Sequence, residues 1–244
     1  MGARRRRSLA TGFLLVGLLL AGVLLALDRG LHYYAERRVA SELQTSLALD
    51  APPTVDIRGF PFLTQAARNH FPRVDLTATG VSGSRSPGEP PVEIETLQAE
   101  LYDVRTSEGY RRVTAGRLDG RATLAYDSLA GYSENPLSYG GNSGGPGRVQ
   151  TTVSAPIGGD LLMATLSAVV AVDEPNQQVL LTEPSVEVVG LTLADEVVNR
   201  LAGRFLDPIP VGSLPLGLRL TGVEATETGM IALVTGTDVL LQQG

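Results

Sequence analysis

Nineteen residues, Leu9 to Leu27, pass without a single charge, and four arginines, Arg4 to Arg7, precede them across Ser8. At about 1.5 Å of helical rise per residue, such a run crosses a hydrocarbon core of about 30 Å. A chain that opens this way either keeps the segment as a membrane anchor or loses it as an export signal. A cleaved signal usually has a shorter apolar region and small residues before the cut. Ala26 suits the last position, but Leu24 fits poorly two residues earlier. The expectation is an uncleaved anchor over residues 1–28, with a cleaved signal as the alternative. The arginines before the span, against Arg29 after it, favour a cytoplasmic N-terminus and an extracytoplasmic body in a single-pass cell-membrane protein. Arg37 and Arg38 lie further on and blunt that bias.

The remaining 216 residues keep 16 of the 20 basic side chains and 25 of the 26 acids, a formal charge of −9. That balance disfavours phosphate-backbone binding, so no nucleic-acid partner is expected. The chain contains no cysteine. Disulfides, thiolate metal sites, a cysteine nucleophile and a lipidated cysteine are thereby excluded. The body, residues 29–244, must be held by burial alone, and it is long enough for one sizeable core in one domain.

The most informative stretch of the body is Thr54–Val81. Val55 and Ile57 alternate with Asp56 and Arg58. Further on, Val74, Leu76 and Ala78 alternate with Asp75, Thr77 and Thr79, the period of a sheet with one buried face. Between them, Gly59 permits a sharp bend and Pro61 sets φ for a helix start, which predicts a corner and a short helix. Aromatic residues total 12 in the chain, so Phe60 and Phe62, with Leu63, stand out. They read either as a core plug stapling helix to sheet or as the wall of an apolar ligand site.

Before this corner, Leu31, Ala35, Val39, Leu43 and Leu47 recur every four residues, with Glu36, Arg37 and Glu42 off that line. A helix over Leu31–Leu49 is predicted, ended by Ala51-Pro52-Pro53. It lies on the sheet or, alternatively, on the membrane surface. After the corner, alternation predicts strands at Val92–Val104, Val113–Tyr126, Val149–Ile157, Leu161–Val172, Val179–Val189, Leu214–Val223 and Met230–Leu240. The phase slips near Thr96, as a β-bulge would make it. Thr192 with Asp195 caps a second helix over Thr192–Leu206. With no β-α-β alternation, the fold class is α+β: a long bent antiparallel sheet wrapped on one or two helices.

The corner, GFPFLTQ preceded by V-x-I-x and followed by V-x-L-x-A-x-G-V, resembles the LmeA-like phospholipid-binding proteins of the actinobacterial cell envelope. A second stretch does so too: Leu214-Pro215-Leu216-Gly217-Leu218-Arg219-Leu220, then Val223 and Gly229-Met230-Ile231-Ala232-Leu233. The chain departs at Asn69-His70, where a glycine-containing turn is expected, and at the longer loop Gly131–Gly147. The resemblance implies an architecture similar to tubular lipid-binding domains and an envelope role with anionic phospholipid or glycolipid. Such a carrier is needed because each methylene exposed to water costs about 0.8 kcal/mol. Phe60, Phe62, Leu63, Leu216 and Leu218 are the candidate lipid contacts, with no cofactor expected.

Catalytic readings are weaker. Gly141-Asn142-Ser143-Gly144-Gly145-Pro146 resembles the serine motif of trypsin-like proteases, which also needs a histidine base and an aspartate. His70 and Asp103 are the conceivable partners, but the surroundings of Ser143 read as a small-residue surface loop. Two histidines without cysteine give no zinc spacing. A membrane-tethered scaffold that binds an envelope protein is the alternative from another class.

Overall fold

Helix α1 (Ala3–Ser46) is continuous over 44 residues, so the apolar run and the predicted helix after it are one rod. The computed structural model describes residues 3–46, 49–83, 92–132, 135–142, 144–157, 160–188 and 208–243. The predicted helix at Thr192–Leu206, and Ser143, lie outside them. No residue between Asp28 and Leu31 breaks α1; Gly30 costs helix stability only modestly. From Leu15 to Leu27 its leucines and valines are exposed, and the helix is long and apolar enough to cross a membrane.

Past residue 27 the rod packs on the body. The predicted apolar stripe is corrected here: Leu31 and Val39 are exposed, and Ala40 takes the buried place, with Ala35 and Leu43 beside it. His32 and Glu36 also face inward. The reason is strand β1 (Thr54–Arg58), the edge of its sheet. An unpaired edge exposes backbone donors and acceptors. Glu36 accepts the Ile57 N–H at 3.0 Å, and His32 Nε2 meets the Ile57 carbonyl at 2.8 Å. Polar residues on the helix thus finish the sheet edge.

Two antiparallel sheets follow. The first has the order β1, β2 (His70–Gly83), β3 (Val92–Ser107), β4 (Arg112–Leu124), β11 (Met230–Gln243) and β10 (Arg219–Ala225). The second runs β5 (Leu137–Tyr139), β6 (Arg148–Ile157), β7 (Asp160–Asp173), β8 (Gln178–Val188) and β9 (Ile209–Pro210). The short helix α2 (Phe62–Ala67) turns the chain from β1 into β2. Its exit uses Asn69 at φ 51°; asparagine is the residue, after glycine, that best tolerates this region. The departure from the expected glycine therefore keeps the turn. The long loop before Gly147 contains β5, a short strand that alternation alone does not reveal.

The bend in the first sheet has a definite source. Pro72, Asp103, Gly116 and Asp238 stand opposite one another on β2, β3, β4 and β11, and ladder pairing is interrupted at all four. Asp103 and Asp238 take φ of 52° and 51°. Below this row, Leu101 and Leu118 are buried; above it, Val104, Ala115 and Val239 are. The inward set has moved by three positions, not two, on each strand. Because all four strands slip together, the register survives and the sheet creases. The crease wraps it around Ala40 and Phe62, which share one core cluster with Val104, Ala115 and Val239. A second irregularity falls between Ile94 and Thr96, where the sequence predicts a bulge.

The sheets meet where β10 packs on β7, around buried Val149, Val170 and Ala225. The turn between β7 and β8 closes the free edge of β10. Gln177 donates its amide to the Leu220 carbonyl at 3.1 Å and accepts the Leu220 N–H at 2.7 Å. One side chain thus stands in for a strand neighbour.

Candidate functional site

Gly59 at φ 101° makes the corner, and the Phe60–Pro61 peptide is cis. Pro61 is the N-cap of α2, which leaves the first amides of the helix in need of an acceptor. Asp28 supplies one. Its carboxylate accepts the Leu63 N–H at 2.8 Å, and the residue is 3 % exposed at the point where the apolar run of α1 ends. Its second oxygen has no hydrogen-bond partner among the described residues. A negative group at a helix N-terminus also complements the helix dipole.

The three corner residues singled out in the sequence part company here. Phe62 is buried, its ring stacked on His32 with centroids 5.3 Å apart and tilted to Phe71 at 6.1 Å. Leu63 is half-buried. Phe60 is 58 % exposed, with the Arg29 guanidinium 5.0 Å over its ring. The second motif is not the strand predicted from Leu214. Pro215–Gly217 form a 3₁₀ turn, and the strand begins at Arg219. Pro215 and Gly217 explain this: one fixes φ and the other takes the turn at φ 71°. Leu216 points outward at 50 % exposure. Leu218 packs against the main core cluster, and its side chain occupies the space that a Cβ at Gly236 would need.

Strand pairing also lines up a row of apolar residues on the core-facing side of the first sheet that the sequence did not single out. Leu97, Ala122, Ala232 and Val223 lie directly opposite one another on β3, β4, β11 and β10. All four remain half-buried among the described residues, although α1 covers the same face nearer the crease. Next along lie Ala99, Gly120 and Val234, where glycine again makes room for the valine side chain. At its β10 end the row joins the seam between the sheets, where Val223 packs against Val149, Val170 and Ala225. The signal was present as alternation on each strand; only the register brings the four together.

The opposite face is charged in two rows. Asp56, Asp75, Glu100 and Asp119 stand opposite one another across β1 to β4, and Arg58, Arg73, Tyr102 and Arg117 form the next row. Like charges directly opposite repel, and the arginine row compensates diagonally. Asp75 accepts from Arg58 at 2.8 Å and from Arg73 at 2.6 Å. Partial burial pushes its carboxyl upward, but these two hydrogen bonds outweigh it and hold the group below its ordinary value. A depressed carboxylate contributes stability above its unfolded pKa, and loses it as the pH falls through the folded one. Melting Asp75→Asn beside the parent at pH 7 and at pH 3 should therefore show a gap at neutrality that narrows in acid, from about pH 4 downward. A gap that widened in acid would contradict this sign.

His70 and Asp103, weighed as a base and its orienter, do meet at 2.7 Å, on an exposed surface. Their would-be nucleophile Ser143 lies outside the described residues. Among the described residues there is no group of three or more histidine, cysteine or acidic side chains placed to hold a metal.

No curated protein and no solved structure matches the chain. The sequence profile of the LmeA-like phospholipid-binding family, however, matches residues 26–235. That span runs from the end of the apolar segment through Asp28 and the corner, and on into the first half of β11. The chain belongs to the LmeA-like phospholipid-binding family.

Proposed function

We propose that the chain is a membrane-anchored, extracytoplasmic binding or carrier protein for anionic phospholipid in cell-envelope lipid handling. Apart from family membership, the observation that carries this reading is the half-buried row Leu97, Ala122, Ala232 and Val223 on the concave face. The row reads as a trough closed at its β10 end by Val223 against the seam, and an acyl chain laid along Leu97, Ala122 and Ala232 removes its methylenes from water at about 0.8 kcal/mol each. Leu218 borders this face, whereas Phe62 supports the corner from beneath. Leu63 and Leu216 stay candidates for contacts at its margins, with glycolipid as the other ligand class.

The test is mass spectrometry of organic extracts from a body beginning at residue 26, which keeps Asp28 and His32. The parent should carry phospholipid. Ala122→Phe, which fills the trough, should carry much less while melting near the parent's temperature. A parent free of lipid would sink the proposal and favour a tethered protein-binding scaffold.

A further inference from the structure

The body packs on α1 from Asp28 to Leu43, and the corner is tied to it at the end of the apolar run. Asp28 caps α2, His32 stacks under Phe62, and Arg29 lies over Phe60. The corner therefore cannot swing away from the helix. Leu27, Leu31 and Tyr34 recur at i, i+4 and i+7, so they share one face. Each is about half exposed or more, as is Phe60. Along a continuous helix, Leu31 stands about 6 Å and Tyr34 about 10 Å beyond Leu27. The headgroup layer outside the hydrocarbon core is of the order of 5–8 Å thick. Tilt of the rod lowers both residues further.

We propose that the Gly59–Leu63 corner and the first turns of α1 beyond the span form an interfacial seat, in which Phe60 enters the headgroup layer of the bilayer. The proposal rests on the reading that residues 9–27 stay in the membrane. The occupant is the bilayer surface itself, and three features favour it. The exposed apolar face continues the lipid-facing surface of the same helix without a break. Aromatic side chains favour the interface between hydrocarbon and water. Arg29, stacked on Phe60, supplies a cation where anionic phosphates lie, its stem apolar and its head charged. Phe60 then contacts the surrounding bilayer rather than the lipid carried in the trough. The seat sets the trough at a fixed height and rotation above the leaflet from which a lipid would enter.

The chain contains no tryptophan, so Phe60→Trp introduces a single reporter at an exposed position. The full-length variant is placed in nanodiscs of phosphatidylcholine and phosphatidylglycerol, with and without lipid spin-labelled near the headgroup. Glu174→Trp, at the exposed turn between β7 and β8, is the comparison. The seat predicts a severalfold loss of Phe60→Trp emission to labelled lipid, little quenching by aqueous iodide, and the reverse for Glu174→Trp. Iodide quenching of Phe60→Trp in the disc, as strong as in detergent, overturns it. So does an indole shielded from both quenchers, which would put a protein or a second copy on the corner. Equal quenching of both variants by labelled lipid also overturns it, since contact would not be specific to the corner. A chain that fails to stay with the disc removes the span, and the seat with it. Lipid carriage is read separately by extraction, so its failure leaves the fluorescence result standing.

Discussion

Phe62→Ala is expected to cost about 3–5 kcal/mol, the usual range for emptying a buried phenylalanine site. Against a total stability of about 5–15 kcal/mol, that is enough to leave a marginal protein largely unfolded at growth temperature. The ring lies between His32 of α1 and Phe71, near the start of β2. Its loss removes the contact that holds rod, corner and sheet together. Leu101→Ala, in the same cluster but away from the corner, sets the scale for ordinary packing loss, about 2–5 kcal/mol. Denaturant unfolding and extracted lipid should be measured on both variants. We expect the Phe62→Ala protein to lose lipid only in proportion to its loss of fold. Lipid lost at a temperature where the variant remains folded would put the ring on the lipid path.

Gly147→Ala should have a comparable effect by a different route. Gly147 faces the backbone of Ala225, and an added Cβ would overlap the Ala225 carbonyl oxygen. The obstacle is backbone, so no rotamer relieves it. β6 begins at the next residue and β10 ends at Ala225, so the extra methyl drives a wedge between the two sheets. Overpacking costs about 1–3 kcal/mol in most cores, and the upper end applies where the neighbour cannot rotate away. The melting temperature should fall and the seam should open, exposing Val149 and Val170. Amide exchange should rise along β6, β7 and β10 ahead of β1 to β3. Uniform loosening of both sheets would contradict this local account.

Much of the fold is legible in the sequence because its strands are long and one-sided. Period-2 alternation located β3, β4, β6, β7, β8 and β11 with ends close to those observed, and the middle of β2, which runs four residues further at each end. The bulge near Thr96 could be read because Ile94 and Leu97 break phase locally. The crease is different. Asp103, Gly116 and Asp238 are unremarkable on their own strands, and only pairing across four strands puts them on one line. The helix stripe misled for a related reason. Apolar periodicity favours Leu31 and Val39, but α1 meets a strand edge, whose unpaired backbone needs His32 and Glu36. Asp28 looked like the end of an apolar run, because nothing in the sequence says that its carboxylate caps a helix 35 residues away. The candidate contacts came from two motifs, and neighbours in a motif part company in space: Phe62 is buried, whereas Phe60 and Leu216 are exposed. The row across β3, β4, β11 and β10 is made of ordinary strand residues, and only the register brings Leu97, Ala122, Ala232 and Val223 together.

The order of the strands carries a consequence for how the chain reaches this state. β4 is flanked by β3, its predecessor, and by β11, the last strand of all. The Thr235 hydroxyl donates to the carbonyl of Leu118, 117 residues earlier. Closing a loop of that size is entropically slow, and long-range pairing of this kind limits folding rates. In a chain that emerges from its N-terminus, β1 to β4 are complete long before β11 appears. The second sheet, whose strands pair only with their neighbours in sequence, can form meanwhile. During that interval β4 offers a bare edge beside Ala122 and Leu118, an invitation to wrong pairing. Whatever shields that edge until the C-terminus arrives acts on the chain before its fold is complete.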